Sequence, residues 1–500
     1  MYTGAEAMIL RELLRSTDIV DLNGDAEREI LSLAYDSREV KAGGLFFAIR
    51  GEHADGHQFL DQVLKKRAVG VVSELDRPPD FPVAWVRVWS VRRALAEVSR
   101  AFYENPDLYL VLVGITGTNG KTTTAYLLHS IFEAAGIKTG LFSTIEYRVG
   151  VQAFPAYHTT PESLELAAYL AEVAHCGGKA AVMEVSSHAL AQSRVWGFRF
   201  SAAVFTNLTG DHLDYHEDME SYFAAKRRLF EGTGTPPPEL GIINLDDPWA
   251  SRLLDMPLKR RVTYGVEGDA QVRARHVSLS PAGIRAALTT PGGKIEIESP
   301  LVGGANVMNI LAAVACAEGL GLGRNAIREG VARLRQVPGR FEKVDEGQPF
   351  LVIVDYAHTH DALRSVLETA RDMTRGRLIS VFGCGGDRDR TKRPKMGEVA
   401  GTLSDSVVLT SDNPRSEDPI LIMNDAMVGL QKSGRPYVAE VDRETAIRKA
   451  LEQAREGDTV LIAGKGHETT QILKDGPIPL NDREVAHRIL GEMGFSRSSG

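Results

Sequence analysis

Short runs of apolar residues recur along the chain, and most are followed by polar residues and then by a segment with apolar positions at helical spacing. Four clear examples begin at Ala180, Leu240, Ser406 and Thr459. Runs this short and this apolar are typical of parallel strands that are covered by helices on both faces. Their alternation with helices predicts an α/β protein built on mostly parallel, doubly wound sheets.

Further patterns predict particular elements. Leu108 to Val113 and Thr139 to Val149 are each expected to form one strand. Thr160, Pro161 and Glu162 predict the start of a helix with Thr160 as its N-cap. Residues 272–297 alternate around two Pro/Gly turns, which predicts antiparallel hairpins attached to the parallel core.

A chain of 500 residues is long enough for about three domains. Residues 1–97 are expected to form a small N-terminal α/β domain, in which Gly43 and Gly44 turn the chain between two strands. Residues 98–335 are expected to form a central domain with a large, mostly parallel sheet. Residues 336–500, which begin at a Pro-Gly loop, are expected to form a C-terminal Rossmann-like α/β domain.

Composition and charge narrow the class of protein. The chain is 43% hydrophobic and 25% charged, which is ordinary for a globular protein. A net charge of −8 without any Lys/Arg block argues against nucleic acid as a partner. No apolar stretch approaches the ~20 residues of a membrane span. Cys176, Cys316 and Cys384 are odd in number and far apart, which fits a reducing compartment, so we expect a cytoplasmic protein, and we expect it to be a monomer.

A glycine-rich loop carries the strongest chemical signal. Gly114, Gly117 and Gly120 follow an apolar run, and Lys121-Thr122 open a helical segment. Strand, glycine loop and helix start together form a site for a nucleotide phosphate, with the lysine near the terminal phosphates and the threonine hydroxyl near Mg²⁺. The standard pattern has glycine where this chain has Ile115. The alternative, an ordinary glycine-rich turn, explains neither the lysine nor the threonines, so the central domain is expected to be of the P-loop type.

Polar residues follow the next predicted strands. Glu184 and Ser186 end one strand, where a carboxylate is suited to bind Mg²⁺. Asp211, His212, Asp214 and His216 crowd the loop after another, which indicates metal ligation, substrate binding or a polar surface loop. Lys226 lies on a partly apolar helix face, from which a lysine would ordinarily reach into water.

Two further groups leave alternatives open. Asn306 and Asn309 stand at a helix start, where they either cap the helix or contact a nucleotide base. In the third domain, Asp355, Arg388, Arg415 and Glu468 each follow an apolar run, so they could converge on one rim. The two arginines could clamp a carboxylate, and Glu468 could accept a substrate ammonium.

These motifs resemble those of the Mur ligases, the ATP-dependent amide ligases of bacterial cell-wall precursor synthesis. The resemblance runs nearly end to end. It is carried by these stretches: Asp36–Arg38, Asp55-Gly56, Gly114–Thr123, Met183–His188, Asp211–His216, Ala225-Lys226, Asp355–His358, Gly385–Arg388, Asp412–Arg415 and Gly464–Glu468.

The resemblance implies roles for these residues. ATP would contact Gly117, Thr118, Asn119, Gly120, Lys121, Thr122, Thr123, Asn306, Asn309 and Asp355. Mg²⁺ would be held by Thr122, Glu184, His212 and Lys226, with Lys226 carbamylated to an anionic ligand. Lys121, Glu184, His212 and Lys226 would be the catalytic residues.

The resemblance also implies the substrates. The UDP-muramoyl-dipeptide would be held by Tyr35, Ser37, Glu52, His53, Ala54, His158, Thr159, Thr160, Ser186, Gln192 and Arg194. Members that add diaminopimelate share the Asp412–Arg415 pattern, and this amino acid would be held by Arg388, Asp412, Asn413, Pro414, Arg415, Gly464 and Glu468. This chain departs from the family at Thr359-His360, where a proline is usual, and at His158, where some relatives have asparagine.

The expected reaction is acyl activation. ATP would phosphorylate a substrate carboxylate, and an amine would displace the phosphate from the acyl phosphate. The alternatives are a lysine-adding or folylpolyglutamate-type ligase, a P-loop motor or GTPase, and a non-catalytic nucleotide-binding scaffold. Arg415 argues against lysine, and the absence of an Asn-Lys-x-Asp motif argues against a GTPase.

Overall fold

The computed structural model describes residues 7–51 and 54–496, without the side chains of residues 213 and 214. Over these residues the chain forms three α/β units, each with its own principal sheet. The elements of the first unit, in chain order, are β1 (Met8–Ile9), α1 (Leu10–Leu13), β2 (Ile19–Asn23), β3 (Glu29–Ile30), β4 (Ser32–Ala34), β5 (Gly44–Phe47), α2 (Leu60–Lys65), β6 (Gly70–Ser73), β7 (Ala84–Val88) and α3 (Val91–Phe102).

The first unit has a five-stranded sheet in the order β2-β7-β6-β5-β4. Gly43 makes the predicted turn with a φ of +78°, a conformation that favours glycine. The strands on either side are parallel, with Leu33 opposite Leu45, so the segment between them crosses over instead of forming a hairpin.

Helix α3 runs across the predicted domain boundary between residues 97 and 98. Its apolar face, including Leu95, Val98 and Phe102, is buried in the core of the first unit. The chain then turns at Asn105, which has a φ of +51°. We therefore propose that the first domain ends near residue 104.

The second unit is the largest. Its elements are β8 (Val111–Thr116), α4 (Lys121–Ala134), β9 (Thr139–Phe142), β10 (Glu146–Val149), β11 (Gln152–Pro155), α5 (Ser163–His175), β12 (Ala180–Glu184), α6 (Ser187–Ala191), β13 (Ala202–Phe205), α7 (Leu213–His216), α8 (Met219–Glu231), β14 (Leu240–Asn244), α9 (Ser251–Leu254), β15 (Arg260–Gly265), β16 (Val272–Ser280), β17 (Gly283–Thr290), β18 (Gly293–Ser299), α10 (Ala305–Gly319) and α11 (Arg324–Arg333).

These strands form an eleven-stranded sheet in the order β11-β10-β9-β12-β8-β13-β14-β15-β16-β17-β18. The strands from β9 through β16 in this order are parallel, and antiparallel hairpins extend both ends. Helices α4, α10 and α11 contribute to the core on one face, and α5 and α8 to the core on the other. The predicted hairpins within residues 272–297 are confirmed as β16, β17 and β18.

Two predicted strands of this unit are wrong in their extent. A 3₁₀ turn over Pro106–Leu108 precedes β8, and Leu108 is exposed, so the buried strand starts only at Val111. The segment Thr139 to Val149 is a hairpin instead of one strand, with Phe142 opposite Tyr147. The turn between β9 and β10 lacks glycine and proline, which is why the sequence pattern did not reveal it.

The predicted helix cap at Thr160 is also wrong. Helix α5 begins at Ser163 with Glu162 as its N-cap, two residues later than a cap at Thr160 would place it. The Thr160 hydroxyl instead donates to the Glu184 carbonyl oxygen at 2.9 Å. The hydroxyl thus bonds to a residue distant in sequence, at the end of β12, and does not cap the nearby helix.

The third unit contains β19 (Glu342–Val344), β20 (Leu351–Asp355), α12 (His360–Met373), β21 (Leu378–Phe382), α13 (Lys392–Leu403), β22 (Ser406–Thr410), α14 (Pro419–Ser433), β23 (Tyr437–Glu440), α15 (Arg443–Glu452), β24 (Thr459–Ala463), β25 (Thr470–Leu473), β26 (Gly476–Pro479) and α16 (Asp482–Glu492). Its sheet has the order β19-β20-β24-β21-β22-β23, in which only β19 is antiparallel to its neighbour.

The fold class predicted from the sequence is confirmed. The central sheet is mostly parallel, and helices cover both faces of the central and third sheets. No helix in the described part of the chain is long and apolar enough to cross a bilayer. Because ligands of such sheets bind beyond the carboxyl ends of the strands, the loops after β8, β12, β13, β20, β22 and β24 are the candidates for a site.

A buried ion pair fixes two of these loops. The Arg443 side chain is fully buried and makes a bidentate contact with Asp482, at 2.7 and 2.6 Å. It also donates to the carbonyl oxygens of Ser411 and Ala463, at the ends of β22 and β24. A guanidinium with all of these acceptors is well satisfied, and it links the loops that follow both strands.

We expect Arg443→Met to lower the local free energy of unfolding of β22 and β24 by about 3–5 kcal/mol, because Asp482 would be left buried without its partner. Hydrogen exchange of these strands' amides measures the effect. Arg448→Met, which removes a more exposed ion pair with Glu492, is the matched control and is expected to cost less than about 1 kcal/mol. Equal losses of unfolding free energy in the two variants would contradict the conclusion that the Arg443–Asp482 pair holds these strands.

Candidate active site

The glycine loop between β8 and α4 has the backbone of a phosphate site. Gly117 has a φ of +148°, and a Cβ there would lie 1.9 Å from the Thr206 hydroxyl oxygen. Gly120 has a φ of +83°, and a Cβ there would lie 2.3 Å from the Asn309 side-chain oxygen. Both positions therefore require glycine. Helix α4 begins at Lys121 without a side-chain cap, which leaves its first N–H groups available to an anion.

The loop after β13 holds this glycine loop in place. The Asn207 carbonyl oxygen accepts from the Thr118 amide at 2.8 Å, and its side-chain oxygen accepts from the Asn119 amide at 2.9 Å. The Thr206 hydroxyl donates to the Asn119 carbonyl oxygen at 2.7 Å. The phosphate loop is thus fixed by contacts that do not involve a bound nucleotide.

Two lysines converge on one carbonyl group. Lys121 Nζ donates to the Gly117 carbonyl oxygen at 2.9 Å and to that of Thr118 at 2.7 Å. Lys226 Nζ donates to the same Gly117 oxygen at 2.7 Å and lies 4.4 Å from the centre of the Tyr222 ring. Within the described residues, no carboxylate forms an ion pair with either lysine.

Lys226 does not reach water, contrary to the prediction from its helix. It is 2% exposed. Burial, together with the charge of Lys121, holds the pKa of the Lys226 amine well below its ordinary value. Burial likewise lowers the pKa of Lys121. The pocket therefore contains two amines whose charged form is disfavoured by burial and which form no ion pair with a carboxylate of the described residues.

Glu184, at the end of β12, and His212, in the loop after β13, face this pocket from the two strands that flank β8. The Glu184 carboxylate is fully buried and accepts from the amide and hydroxyl of Thr144, at 2.9 and 3.2 Å. His212 has a φ of +55°, and burial lowers the pKa of its imidazole to about 3. The imidazole is thus neutral near pH 7 and has a lone pair for a metal ion.

No cluster of three or more His, Cys, Asp or Glu side chains within residues 7–51 and 54–496 is arranged to hold a metal ion. Glu184, His212 and the Thr122 hydroxyl could hold one only together with a further anionic ligand. Lys226 is the neighbouring side chain that could become one by modification. His216 contacts the Tyr222 ring instead, and the side chain of residue 214 lies outside those described.

The two asparagines do not act as the N-cap of α10. That cap is Gly304, while Asn306 and Asn309 lie in the first turns of the helix. Asn306 Nδ2 donates to the Val302 carbonyl oxygen, and Asn309 Nδ2 donates to Asn306 Oδ1. Both line the same cavity as the glycine loop.

The third unit closes this cavity with Asp355 and Arg340. Asp355 accepts from the amides of Phe341 and Ala357 at 2.7 Å each, and burial raises the pKa of its carboxyl group. The Arg340 guanidinium lies 4.5 Å from the centre of the Tyr356 ring. Sequence reasoning missed Arg340 because the residue stood in a Pro-Gly loop that was interpreted only as a domain boundary.

The resulting cavity has a volume of about 250 Å³ and lies between the second and third units. Of the residues predicted to bind ATP or metal, it is lined by Thr118, Asn119, Gly120, Lys121, Thr122, Thr123, Glu184, His212, Lys226, Asn306, Asn309 and Asp355. Gly117 is not part of this lining, but its carbonyl oxygen accepts hydrogen bonds from two lining residues, Lys121 and Lys226.

A second, larger cavity of about 780 Å³ adjoins the first. Six residues predicted to bind diaminopimelate line it: Arg388, Asp412, Asn413, Arg415, Gly464 and Glu468. Pro414 is not part of the lining; its carbonyl oxygen packs against Gly386, where a Cβ would lie only 1.9 Å away. Thr144, Thr159, Asp211, His212, Tyr356 and His358 line both cavities, so the two are contiguous.

Arg388 and Arg415 flank Gly385 in the second cavity. Arg415 has a φ of +52°, and its amide donates to the Ile472 carbonyl oxygen at 3.0 Å. Burial and the neighbouring charge of Arg388 lower the pKa of Arg415. Neither guanidinium has an ion pair with a carboxylate of the described residues. Both donate to backbone carbonyl oxygens, Arg388 to that of Asp387 and Arg415 to that of Gly386. Two arginines without an ion pair are suited to bind a carboxylate.

One ion pair joins the units beside these cavities. Lys392, the first residue of α13, lies 3.0 Å from Asp211 in the loop after β13. Because Asp211 precedes His212, this pair links the third unit directly to the metal-ligand candidates. Thr359 caps α12 by accepting from the Ala362 amide, so the helix begins normally without the family's usual proline.

The residues predicted to bind the UDP-muramoyl-dipeptide are only partly brought together. His158, Thr159 and Ser186 line the cavities. Thr160, Gln192 and Arg194 form a network behind them, in which Arg194 donates to the Thr160 carbonyl oxygen and to the Gln192 side chain.

Tyr35, Ser37 and Ala54, the described residues among those predicted in the first unit, are absent from the lining of both cavities. Tyr35 donates to Glu165 at 2.9 Å across the boundary between the first two units. Ser37 donates to Gln62, and the Ala54 carbonyl oxygen accepts from the Gly51 amide. Glu52 and His53 lie outside the described residues.

This fold and this arrangement of residues place the chain among known proteins. Three models of one family match it: "Mur ligase family, catalytic domain" over residues 29–103, "Mur ligase middle domain" over residues 115–317, and "Mur ligase, glutamate ligase domain" over residues 339–466. The chain belongs to the Mur ligase family and is therefore an enzyme of the ligase class.

Its similarity to individual members is high. A protein of Solibacter usitatus named UDP-N-acetylmuramoyl-L-alanyl-D-glutamate–2,6-diaminopimelate ligase is 52% identical over 473 residues, which cover 95% of this chain and 96% of the relative. A protein of the same name from Geobacter sulfurreducens is 46% identical and covers 96% of this chain and 98% of its own. A solved structure with this name is 32% identical, has a TM-score of 0.70, and covers 98% of this chain and all of its own.

We expect Gly117→Ala to abolish binding of an ATP analogue and to destabilise the central unit by at least about 1–3 kcal/mol, because the new Cβ would meet Thr206 in a strained backbone conformation. Nucleotide titration and thermal unfolding measure the two effects. Gly323→Ala is the matched control, since Gly323 has open space around it and an ordinary φ. Nucleotide binding by Gly117→Ala at wild-type affinity would contradict the role of this loop.

Proposed function

We propose that this protein is an ATP-dependent ligase that adds meso-diaminopimelate to UDP-N-acetylmuramoyl-L-alanyl-D-glutamate. The observation that carries the proposal is the contact between the two cavities. One contains the glycine loop with two buried lysines, and the other contains two arginines that form no ion pair with a carboxylate of the described residues. An acyl phosphate formed in the first would be within reach of an amine bound in the second. The names of the relatives at 52% and 46% identity support the same substrates.

The chemistry follows from the reactivity of a carboxylate. Its oxygen is a poor leaving group, so phosphoryl transfer from ATP must first convert the carboxylate to an acyl phosphate, a mixed anhydride, with release of ADP. The amine then attacks the acyl carbon, loses a proton, and phosphate leaves. Lys121, once protonated beside a bound phosphate, would stabilise negative charge on the transferred phosphoryl group, and Arg340 lines the same cavity.

Mg²⁺ fits the site if Lys226 is carbamylated. A neutral lysine amine adds to CO₂ and releases one proton, which gives a carbamate with a carboxylate-like end. The lowered pKa of Lys226 favours this reaction, because more of the amine is neutral near pH 7. The carbamate, Glu184, His212 and Thr122 would then hold the ion, which would neutralise phosphate charge when bound.

We also propose an oligomeric state and a compartment for this protein. We infer that one chain suffices for activity, because residues of a single chain line both cavities. Cys176, Cys316 and Cys384 are free thiols, which supports a reducing compartment such as the cytoplasm.

The substrate assignment predicts the response to different amines. ADP release in the presence of the UDP-muramoyl-dipeptide is expected with diaminopimelate and not with lysine. Arg415→Ala should raise the KM for diaminopimelate roughly 10- to 100-fold and leave the KM for ATP unchanged, because it removes a charged hydrogen-bond donor to a carboxylate. Arg390→Ala, which removes an arginine on the exposed surface nearby, is the control. Release with lysine alone would refute the choice of amine, and no release with any amine would refute the ligase proposal.

The proposed carbamate predicts a pH-dependent signal. With ¹³C-bicarbonate, the wild type should show a carbamate carbon resonance that is lost on acidification, as the amine becomes protonated. Lys226→Met should lack the resonance and lose roughly 100-fold or more in kcat. The exposed Lys179→Met is the control and should retain both. A wild-type spectrum without this resonance, or full activity of Lys226→Met, would rule the carbamate out.

A further inference from the structure

Lys465 is a buried lysine that has no role in the reaction proposed above. It follows β24 in the Gly464–Glu468 stretch, where only Gly464 and Glu468 were given a role. Its side chain is completely buried, unlike most lysines. Burying an ammonium is costly unless its hydrogen bonds are satisfied, so its partners are informative.

Those partners are two residues of the diaminopimelate cavity. Lys465 Nζ donates to Glu468 Oε2 at 2.7 Å and to Asn413 Oδ1 at 3.0 Å. Asn413 Nδ2 donates to the same Glu468 oxygen at 2.9 Å. The three side chains thus form a closed triangle of hydrogen bonds at the meeting point of two loops.

The triangle fixes the orientation of the Asn413 amide. Its oxygen accepts from Lys465 and also from the Ile472 amide, at 2.9 Å. Its nitrogen faces the Glu468 carboxylate. A flipped amide would place its N–H₂ group against two donors and its oxygen against a carboxylate, so only one orientation is compatible with these neighbours.

The triangle also fixes how Glu468 faces the substrate. Oε2 accepts from both Lys465 and Asn413, while Oε1 accepts no hydrogen bond from the described residues. Glu468 lines the larger cavity and Lys465 does not. Lys465 therefore lies outside the cavity lining and binds one oxygen of the Glu468 carboxylate, while the other oxygen, Oε1, is available to a donor in the cavity.

We propose that Lys465 is a positioning residue for the amino-acid substrate. It locks Asn413 and Glu468 so that Glu468 Oε1 accepts a hydrogen bond from the ammonium group of that substrate, while Arg388 and Arg415 bind its carboxylate. This inference rests on the proposed function, because it concerns the binding of the same amine.

The first test is a set of steady-state constants for Lys465→Met in the full-length protein. The KM for diaminopimelate is expected to rise roughly tenfold or more, with the KM values for ATP and the UDP-muramoyl-dipeptide unchanged. Lys474→Met, an exposed lysine in the turn between β25 and β26, is the matched control and should leave all constants unchanged. Equal increases in all three KM values would overturn the inference, since they would indicate general damage.

The second test asks whether Lys465 acts through Glu468. Glu468→Gln should raise the KM for diaminopimelate, and Lys465→Met combined with Glu468→Gln should raise it no further than about twofold beyond the single Glu468→Gln variant. Two effects that multiply in the double variant would mean that Lys465 contributes independently, and the inference would be wrong.

Lys465→Gln covers the case in which the methionine variant fails to fold. The glutamine keeps one donor, so its KM for diaminopimelate should lie between those of the wild type and Lys465→Met, or above that of the wild type if only glutamine folds. Failure of both variants to fold would assign Lys465 to stability and overturn the inference. Lack of diaminopimelate-dependent ADP release by the wild type would instead refute the proposed function, whereas normal turnover with unchanged KM values in folded Lys465 variants would refute this inference alone.

Discussion

The carbonyl oxygen of Gly117 accepts hydrogen bonds from two buried lysines, and the active site depends on this arrangement. One oxygen cannot neutralise two ammonium groups, and neither has a carboxylate partner among the described residues. Burial therefore disfavours both charges, which is why the pKa of each lysine is lowered. Such a pocket is stabilised by anions, either a phosphate near Lys121 or a carboxylate attached to Lys226. The affinity of the pocket for anions thus comes from the absence of carboxylate partners for these two lysines. A bound anionic ligand or a carbamate on Lys226 can supply the missing negative charge.

The third unit also contains basic side chains without carboxylate partners, but there they lie in one cavity with an acidic side chain. Arg388 and Arg415 also lack carboxylate partners, whereas Glu468 is already bound by Lys465 and Asn413. A substrate with both a carboxylate and an ammonium group complements that pattern. The parallel sheets of the second and third units direct the carboxyl ends of their strands towards one another, and the pair Lys392–Asp211 joins them there. The unit that contains the glycine loop and the unit that contains the two arginines are therefore joined beside His212.

Much of the framework could be predicted because it depends on local patterns. The buried strands β14, β22 and β24 begin at the predicted residues, since short apolar runs between polar residues leave few alternatives. The β9–β10 hairpin was missed because its turn, at Ser143-Thr144, is stabilised by a contact between Thr144 and Glu184, which is distant in sequence. Thr160 was misassigned as a cap for the same reason, because its hydroxyl finds its partner at the end of β12. In both cases a tertiary hydrogen bond outweighed the local preference.

The candidate site was harder to predict because its residues depart from local rules. A lysine on a helix is expected to reach water, yet Lys226 points inward to an acceptor 109 positions away in sequence. His212 and Arg415 adopt positive φ values that are uncommon for residues with side chains. Only the resemblance to a family reversed the interpretation of Lys226, and nothing in the sequence distinguished Arg340 from a linker residue. These conformations are unfavourable by themselves and persist because the surrounding structure holds them. Strained residues of this kind are expected to cluster at functional sites.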